Sequence, residues 1–173
     1  MAGRARRSWL FAFPDARVGQ GPLAFGVVQD SVTERMTIRS SPAHCYEVLT
    51  DFARYPEWAG EIKAVSVEER DEQGRASLVT YRTAAFGRST SYTLRYDYSG
   101  APQKLSWVQV SGDLTRRLDG EYVIEATEQG DADVRYELIV ELKVPLPGFV
   151  KRRAEGRIMV TALKELRDRV EGS

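Results

Sequence analysis

Tyrosine is the residue type through which this chain could most readily do chemistry. Tyr81, Tyr92, Tyr96, Tyr98, Tyr122 and Tyr136 recur through its middle. Each offers a ring to an apolar guest and a hydroxyl to a carbonyl or quinone oxygen. The plainer reading is tyrosine on a sheet face, with cross-strand ring pairs holding neighbouring strands together. Trp58 and Trp107 divide in the same way, between core and cavity wall. Arg82 and Arg95 are out of phase with Tyr81 and Tyr96. If the tyrosines turn inward, these arginines face solvent and pair with Asp97 or Glu121. An inward arginine would instead polarise a carbonyl or hold a carboxylate, and a one-residue slip of register exchanges the two faces.

Other reactive groups are few. His44 is the only histidine and Cys45 the only cysteine. A zinc cage, an intrachain disulfide and a Ser-His-Asp triad are therefore disfavoured. His44 lies in the first turn of a short helix and reads as exposed. Glu57 and Glu61 could form an acid/base pair, but isolated carboxylates on a surface helix are normally solvated. The 25 Lys and Arg residues balance 25 Asp and Glu. That argues against nucleic acid as the main partner, because phosphate binding needs a basic excess or a basic face. Lys151, Arg152 and Arg153 begin the last helix, where cations oppose the helix dipole. They read as a solvated face, or as a contact for anionic lipid headgroups.

The elements that must position these groups follow from periodicity. Residues 30–39 alternate as a first strand. Ser41 and Pro42 open a short helix through Thr50. Asp51 can cap a second short segment holding Tyr55, Pro56 and Trp58. From Glu61 the period becomes two, with turns at residues 70–74, 86–88, 99–102, 111–113 and 129–131. These six strands with short connections make a meander of antiparallel hairpins. After a Pro145 to Gly148 stop, Phe149 to Glu171 reads as one amphipathic helix, with Phe149, Val150, Ala154, Ile158, Met159, Ala162, Leu163, Leu166 and Val170 on its apolar side. Gly156 within it calls for a close approach to the sheet, room for a ligand, or no special reason. One helix is about 10 Å wide, and six or seven paired strands span roughly 30 Å. The sheet must curl round the helix, and such a curl tends to leave a hollow.

The chain of 173 residues reads as one folded domain over residues 30–173, preceded by a tail over residues 1–29. The tail carries Arg4, Arg6 and Arg7 ahead of a five-residue apolar run. It reads as flexible and weakly basic. An export signal, whose apolar run would be too short, and a translation start near Val27 or Val28 are the alternatives. No apolar run reaches the length of a membrane span, and a cytoplasmic location is expected.

Several stretches resemble the START-like SRPBCC superfamily, in its polyketide cyclase/dehydrase or coenzyme-Q-binding branch. They are Ser41-Pro42-Ala43, Val48 to Phe52, Tyr55-Pro56-Glu57-Trp58, Gly74-Arg75, Ser106-Trp107, Gly120 with Tyr122, Pro145 to Phe149, and Ala162 to Leu166. The resemblance covers residues 30–170. It implies an α+β helix-grip fold: a curved antiparallel seven-strand sheet round a long C-terminal helix, with two short helices after the first strand. It also implies a small hydrophobic ligand held inside, such as a lipid, isoprenoid quinone or polyketide-like molecule. Family membership does not make the chain an enzyme. The leading expectation is a non-catalytic binder or carrier. The alternative is a cofactor-free cyclase, aromatase or dehydratase using cavity Tyr and Arg groups. Trp58, Tyr81, Tyr92, Tyr96, Trp107, Tyr122, Tyr136, Ile158 and Ala162 are the candidate cavity residues. No catalytic residue, cofactor or metal is assigned. The expected partners are the small ligand and a transient membrane surface, with the chain a monomer or weak dimer.

Overall fold

The computed structural model describes residues 31–85, 88–144 and 147–172, without the side chains of residues 85 and 148–150. The tail 1–29, Phe86 and Gly87 of one expected turn, Pro145 and Leu146, and the apolar side chains of Phe149 and Val150 lie outside the described residues.

Strand β1 (Val32–Ile38) leads into helix α1 (Pro42–Thr50). The start of α1 follows from its sequence: the Ser41 hydroxyl accepts from the His44 amide at 3.2 Å, and Pro42 occupies the first turn. A 3-10 turn (Phe52–Arg54) and the four-residue α2 (Tyr55–Trp58) follow. Asp51 makes no side-chain cap to that turn, contrary to expectation. Its carboxylate is drawn instead to Arg54, 3.5 Å away.

Six strands then run β2 (Ile62–Arg70), β3 (Ala76–Ala85), β4 (Arg88–Asp97), β5 (Lys104–Gly112), β6 (Thr115–Ala126) and β7 (Ala132–Leu142). All seven strands form one antiparallel sheet in the order β1-β7-β6-β5-β4-β3-β2. Gly74 and Gly130 turn two of the hairpins at φ of 80° and 84°, a region that favours glycine. The turn expected at residues 111–113 starts later than the sequence implies. After a register shift, Ser111 and Gly112 still pair with Thr93 and Tyr92 of β4, so β5 runs to Gly112. The ladder from β5 to β6 ends earlier, at Trp107 and Gly120.

Helix α3 (Gly148–Glu171) lies against β1, β7 and α1. Met159, Leu163, Leu166 and Val170 are buried and meet Ile38, Val134 and Leu138 in one core. The screw of the helix leaves Ile158 45% exposed, to one side of the stripe in which its spacing places it. Among the described residues, no atom beyond the helix's own backbone lies within 4 Å of where a Cβ on Gly156 would sit, so the close approach to the sheet does not occur. No helix among the described residues is long and apolar enough to cross a membrane.

Candidate functional site: an aromatic concave face

Alternation decides which side chains look inward. On β4, Thr90 and Leu94 are buried while Arg95 and Asp97 are exposed, so Tyr92, Tyr96 and Tyr98 share the inner phase. Tyr81 on β3, Leu105 and Trp107 on β5, Ile124 on β6, and Val134 and Tyr136 on β7 are buried in the same sense. Arg82 and Arg95 therefore face outward, as the alternation implies. Arg95 does not pair with Asp97 or Glu121, however. It meets Glu69 at 3.0 Å, because the bulged β2 carries that carboxylate towards it. Glu121 is held by Lys104 at 3.1 Å and Arg135 at 3.8 Å.

Register then brings the rings together. Tyr81 and Tyr92 face each other across β3 and β4, with ring centroids 5.2 Å apart. Tyr96 faces Trp107 at 6.0 Å, and Tyr122 faces Tyr136 at 4.4 Å. Trp107 bridges to Tyr122 and Tyr136 at 5.4 and 5.9 Å. It fits because Gly120 lies directly opposite on β6. A Cβ there would sit 2.7 Å from the indole Cζ2 and 2.6 Å from the Glu137 carbonyl.

Phe52 and Tyr55 tie the two halves of this wall together. Phe52 lies 4.5 Å from Tyr96 and 5.5 Å from Tyr55, which in turn meets Trp58 at 4.7 Å and Tyr81 at 6.0 Å. Nine rings thus form one continuous network. The aromatic candidates Trp58, Tyr81, Tyr92, Tyr96, Trp107, Tyr122 and Tyr136 all belong to it. Ala162 is partly buried against the core, and Ile158 is exposed. Phe52 and Tyr55 are not among the sequence candidates. The three-residue spacing of Phe52, Tyr55 and Trp58, which puts them on one side of a short helical segment, is the signal that could have found them.

Hydroxyl partners differ along the wall. Tyr55 donates to the Leu49 carbonyl at 2.6 Å, and Tyr98 to the Ala76 carbonyl at 2.7 Å. The Tyr81 and Tyr96 hydroxyls bond to each other at 2.7 Å. Two hydroxyls carry two protons and one bond consumes one, so the pair retains a proton to donate elsewhere. Burial holds the hydroxyls of Tyr55, Tyr81, Tyr96, Tyr122 and Tyr136 well above the usual tyrosine pKa. They are neutral donors at pH 7. Tyr92, Tyr96 and Tyr122 nonetheless keep intermediate exposure.

Among the described residues, one charged side chain is buried with the core. Glu155 of α3 is 3% exposed and sits in register with Met159 and Leu163. Lys151 Nζ lies 3.5 Å from its Oε1. The sequence signal is a carboxylate four residues before Met159, in phase with the apolar stripe; a count of apolar positions alone passes over it. Glu57 is occupied by Arg54 at 3.2 Å and Arg169 at 3.0 Å, and Glu61 is exposed, so the two do not form an acid/base pair. His44 is partly exposed, with Nδ1 3.7 Å from Glu47.

Comparison places this architecture among known proteins. A START superfamily protein from Mycobacterium smegmatis is 24% identical, with a TM-score of 0.78 over 82% of this chain and 97% of that one. Zhui aromatase/cyclase from Streptomyces sp. R1128 is 15% identical, with a TM-score of 0.70 over 82% and 93%. A protein from Thermus thermophilus is 19% identical, with a TM-score of 0.67 over 83% and 98%. At such identities these likenesses establish the helix-grip fold and nothing finer. No curated protein matches the chain. The family described as polyketide cyclase / dehydrase and lipid transport matches residues 38–167, most of the described domain, and to that family the chain belongs.

Proposed function

We propose that the concave aromatic face binds or carries a small hydrophobic molecule. One observation carries this reading. Tyr92, Tyr96 and Tyr122 are desolvated strongly enough to lift their pKa values, yet each keeps accessible surface. Accessible surface on rings packed among other rings is open to an apolar guest. A face of rings set among Leu94, Leu105 and Leu138 suits a flat, mostly apolar guest such as a quinone, lipid or polyketide-like molecule. The spare proton of the Tyr81–Tyr96 pair suits an oxygen acceptor on that guest.

Trp58 and Trp107 report on this site. Titration with menadione, a two-ring quinone, is expected to quench their fluorescence saturably, and Tyr122→Ala is expected to weaken the binding. Native mass spectrometry of gently purified protein is expected to show a co-purified apolar molecule. Absence of both would overturn the reading.

A second reading is a cofactor-free cyclase or dehydratase acting on a polyketide-like substrate. The paired hydroxyls favour it, since they could polarise a carbonyl in a dry site. The structural neighbour described as an aromatase/cyclase is consistent with it. Turnover of a poly-β-keto thioester that Tyr96→Phe abolishes would establish it; bound but unaltered thioester would exclude it. The carrier reading also accommodates contact with an anionic membrane during exchange, through the exposed Arg152 and Arg153. Charge reversal of those two arginines is then expected to reduce co-sedimentation with phosphatidylserine vesicles at low salt, and an unchanged pellet would remove that contact.

A further inference from the structure

We propose that a second binding site, for a small planar carboxylate, lies outside the aromatic face, in the cleft between α1 and the β2–β3 turn. The half-open cleft offers about 380 Å³, within the size range of small-ligand pockets. Its apolar side is made by Phe52, Ala76 and the Tyr98 ring, and its polar rim by Tyr46, Arg70 and Arg75.

The turn fixes both arginines. Asp71 accepts from the Gln73 and Arg75 amides at 3.0 and 2.9 Å, and from Arg75 Nε at 2.6 Å. Gly74 supplies the positive φ that closes the turn. Its carbonyl accepts from Arg70 Nη1 at 2.8 Å. Arg75 lies over the Tyr98 ring, 4.4 Å from its centroid. Tyr98 is itself anchored through its hydroxyl to Ala76. A cation held in place before its ligand arrives loses less freedom on binding.

Charge selects the guest. Arg75 is neutralised by Asp71, and Asp51 at the rim is engaged by Arg54. Among the described residues, Arg70 has no acidic partner within ion-pair distance. The cleft therefore holds one surplus positive charge. The bond from Nη1 to Gly74 leaves the Nε and Nη2 edge of Arg70 able to take a carboxylate with two parallel hydrogen bonds. One surplus charge beside an apolar wall matches a monoanion with a flat ring. The Tyr46 hydroxyl, also at the rim, can donate to the same anion.

The site is separate from the aromatic face but shares a wall with it. Phe52 lines the cleft and packs at a tilt against Tyr96 on the inner side. A carboxylate seated in the cleft thus touches a ring of the inner network without entering it.

The full chain is titrated calorimetrically with 2-naphthoate and with the uncharged 2-naphthalenemethanol. Saturable naphthoate binding in the millimolar range or tighter is expected, with the alcohol at least about tenfold weaker. Arg70→Ala, an exposed substitution, is expected to weaken naphthoate about tenfold or more, and Arg70→Lys to recover only part of the loss. Tyr122→Ala, on the inner face, is expected to leave naphthoate affinity unchanged. The proposal is overturned by no saturable binding, by equal binding of acid and alcohol, or by naphthoate affinity that follows Tyr122 and ignores Arg70.

Discussion

Removing either hydroxyl of the Tyr81–Tyr96 pair should cost more than removing both. The bond is 2.7 Å long, and Tyr81 is 1% exposed. Tyr96→Phe leaves the Tyr81 hydroxyl buried without its partner, at a cost of about 1–3 kcal/mol. Tyr81→Phe should cost less, because Tyr96 keeps some accessible surface through which water can replace the lost bond. The double change to phenylalanine removes donor and acceptor together and keeps both rings against Phe52, Tyr55, Tyr92 and Trp107. Its cost should return to within about 1 kcal/mol of the parent. For a domain of this size, 1 kcal/mol moves Tm by about 2–4 °C. Urea unfolding followed by circular dichroism gives the four stabilities and the coupling energy of the cycle. A double variant destabilised by the sum of the single losses would refute the reasoning. The same four proteins separate stability from function: a double variant that folds normally yet binds menadione poorly would assign the spare proton to the ligand.

Three further outcomes are expected. Gly120→Ala forces a methyl into both Trp107 and the Glu137 carbonyl, so it should destabilise by about 1–3 kcal/mol in urea unfolding; a neutral result would mean that the indole can move aside. All eight tyrosines are held above their ordinary pKa of 10, chiefly by burial, with Tyr98 pushed up to about 12. A phenol kept neutral by the fold stabilises it fully below pH 10, and that contribution is lost as pH rises through the raised value. Tyrosinate absorbance should therefore stay low at pH 10 and appear together with loss of ellipticity; gradual ionisation of a folded protein near pH 10 would contradict this. Glu171 is held below its ordinary pKa by the Arg39 amide and guanidinium. Its contribution is present above pH 4.5 and lost as pH falls through the depressed value, so the Tm gap between parent and Glu171→Gln should close in acid. A gap independent of pH would assign the effect to packing.

The strands were legible because alternation is a local property. Tyr92, Leu94, Tyr96 and Tyr98 announce their common face without knowledge of any neighbour. The stop of β5 was not legible, since a bulge opposite Leu94 and the ladder to β4 decide it. Ion pairing failed for a related reason. The partner of Arg95 is Glu69, which lies two strands away and reaches it only because β2 is irregular. The aromatic candidates could be read as a group, but their stacking order follows from register, which turn residues fix only approximately. Glu155 was obscured by its type: the helical phase that places it inward was visible, and its charge argued for the opposite side. The cleft at Arg70 needed α1 and the β2–β3 turn to be brought together in space.

The order of pairing has a consequence for synthesis on the ribosome. β1 emerges first and β7 almost last, and Arg35 reaches Asp133 across 98 positions. The six later strands can zip sequentially as they appear. The first strand must wait for β7 and for α3, which packs on it, to leave the exit tunnel. Until then the greasy side of the growing sheet lacks its lid, and the nascent domain is a candidate for chaperone capture.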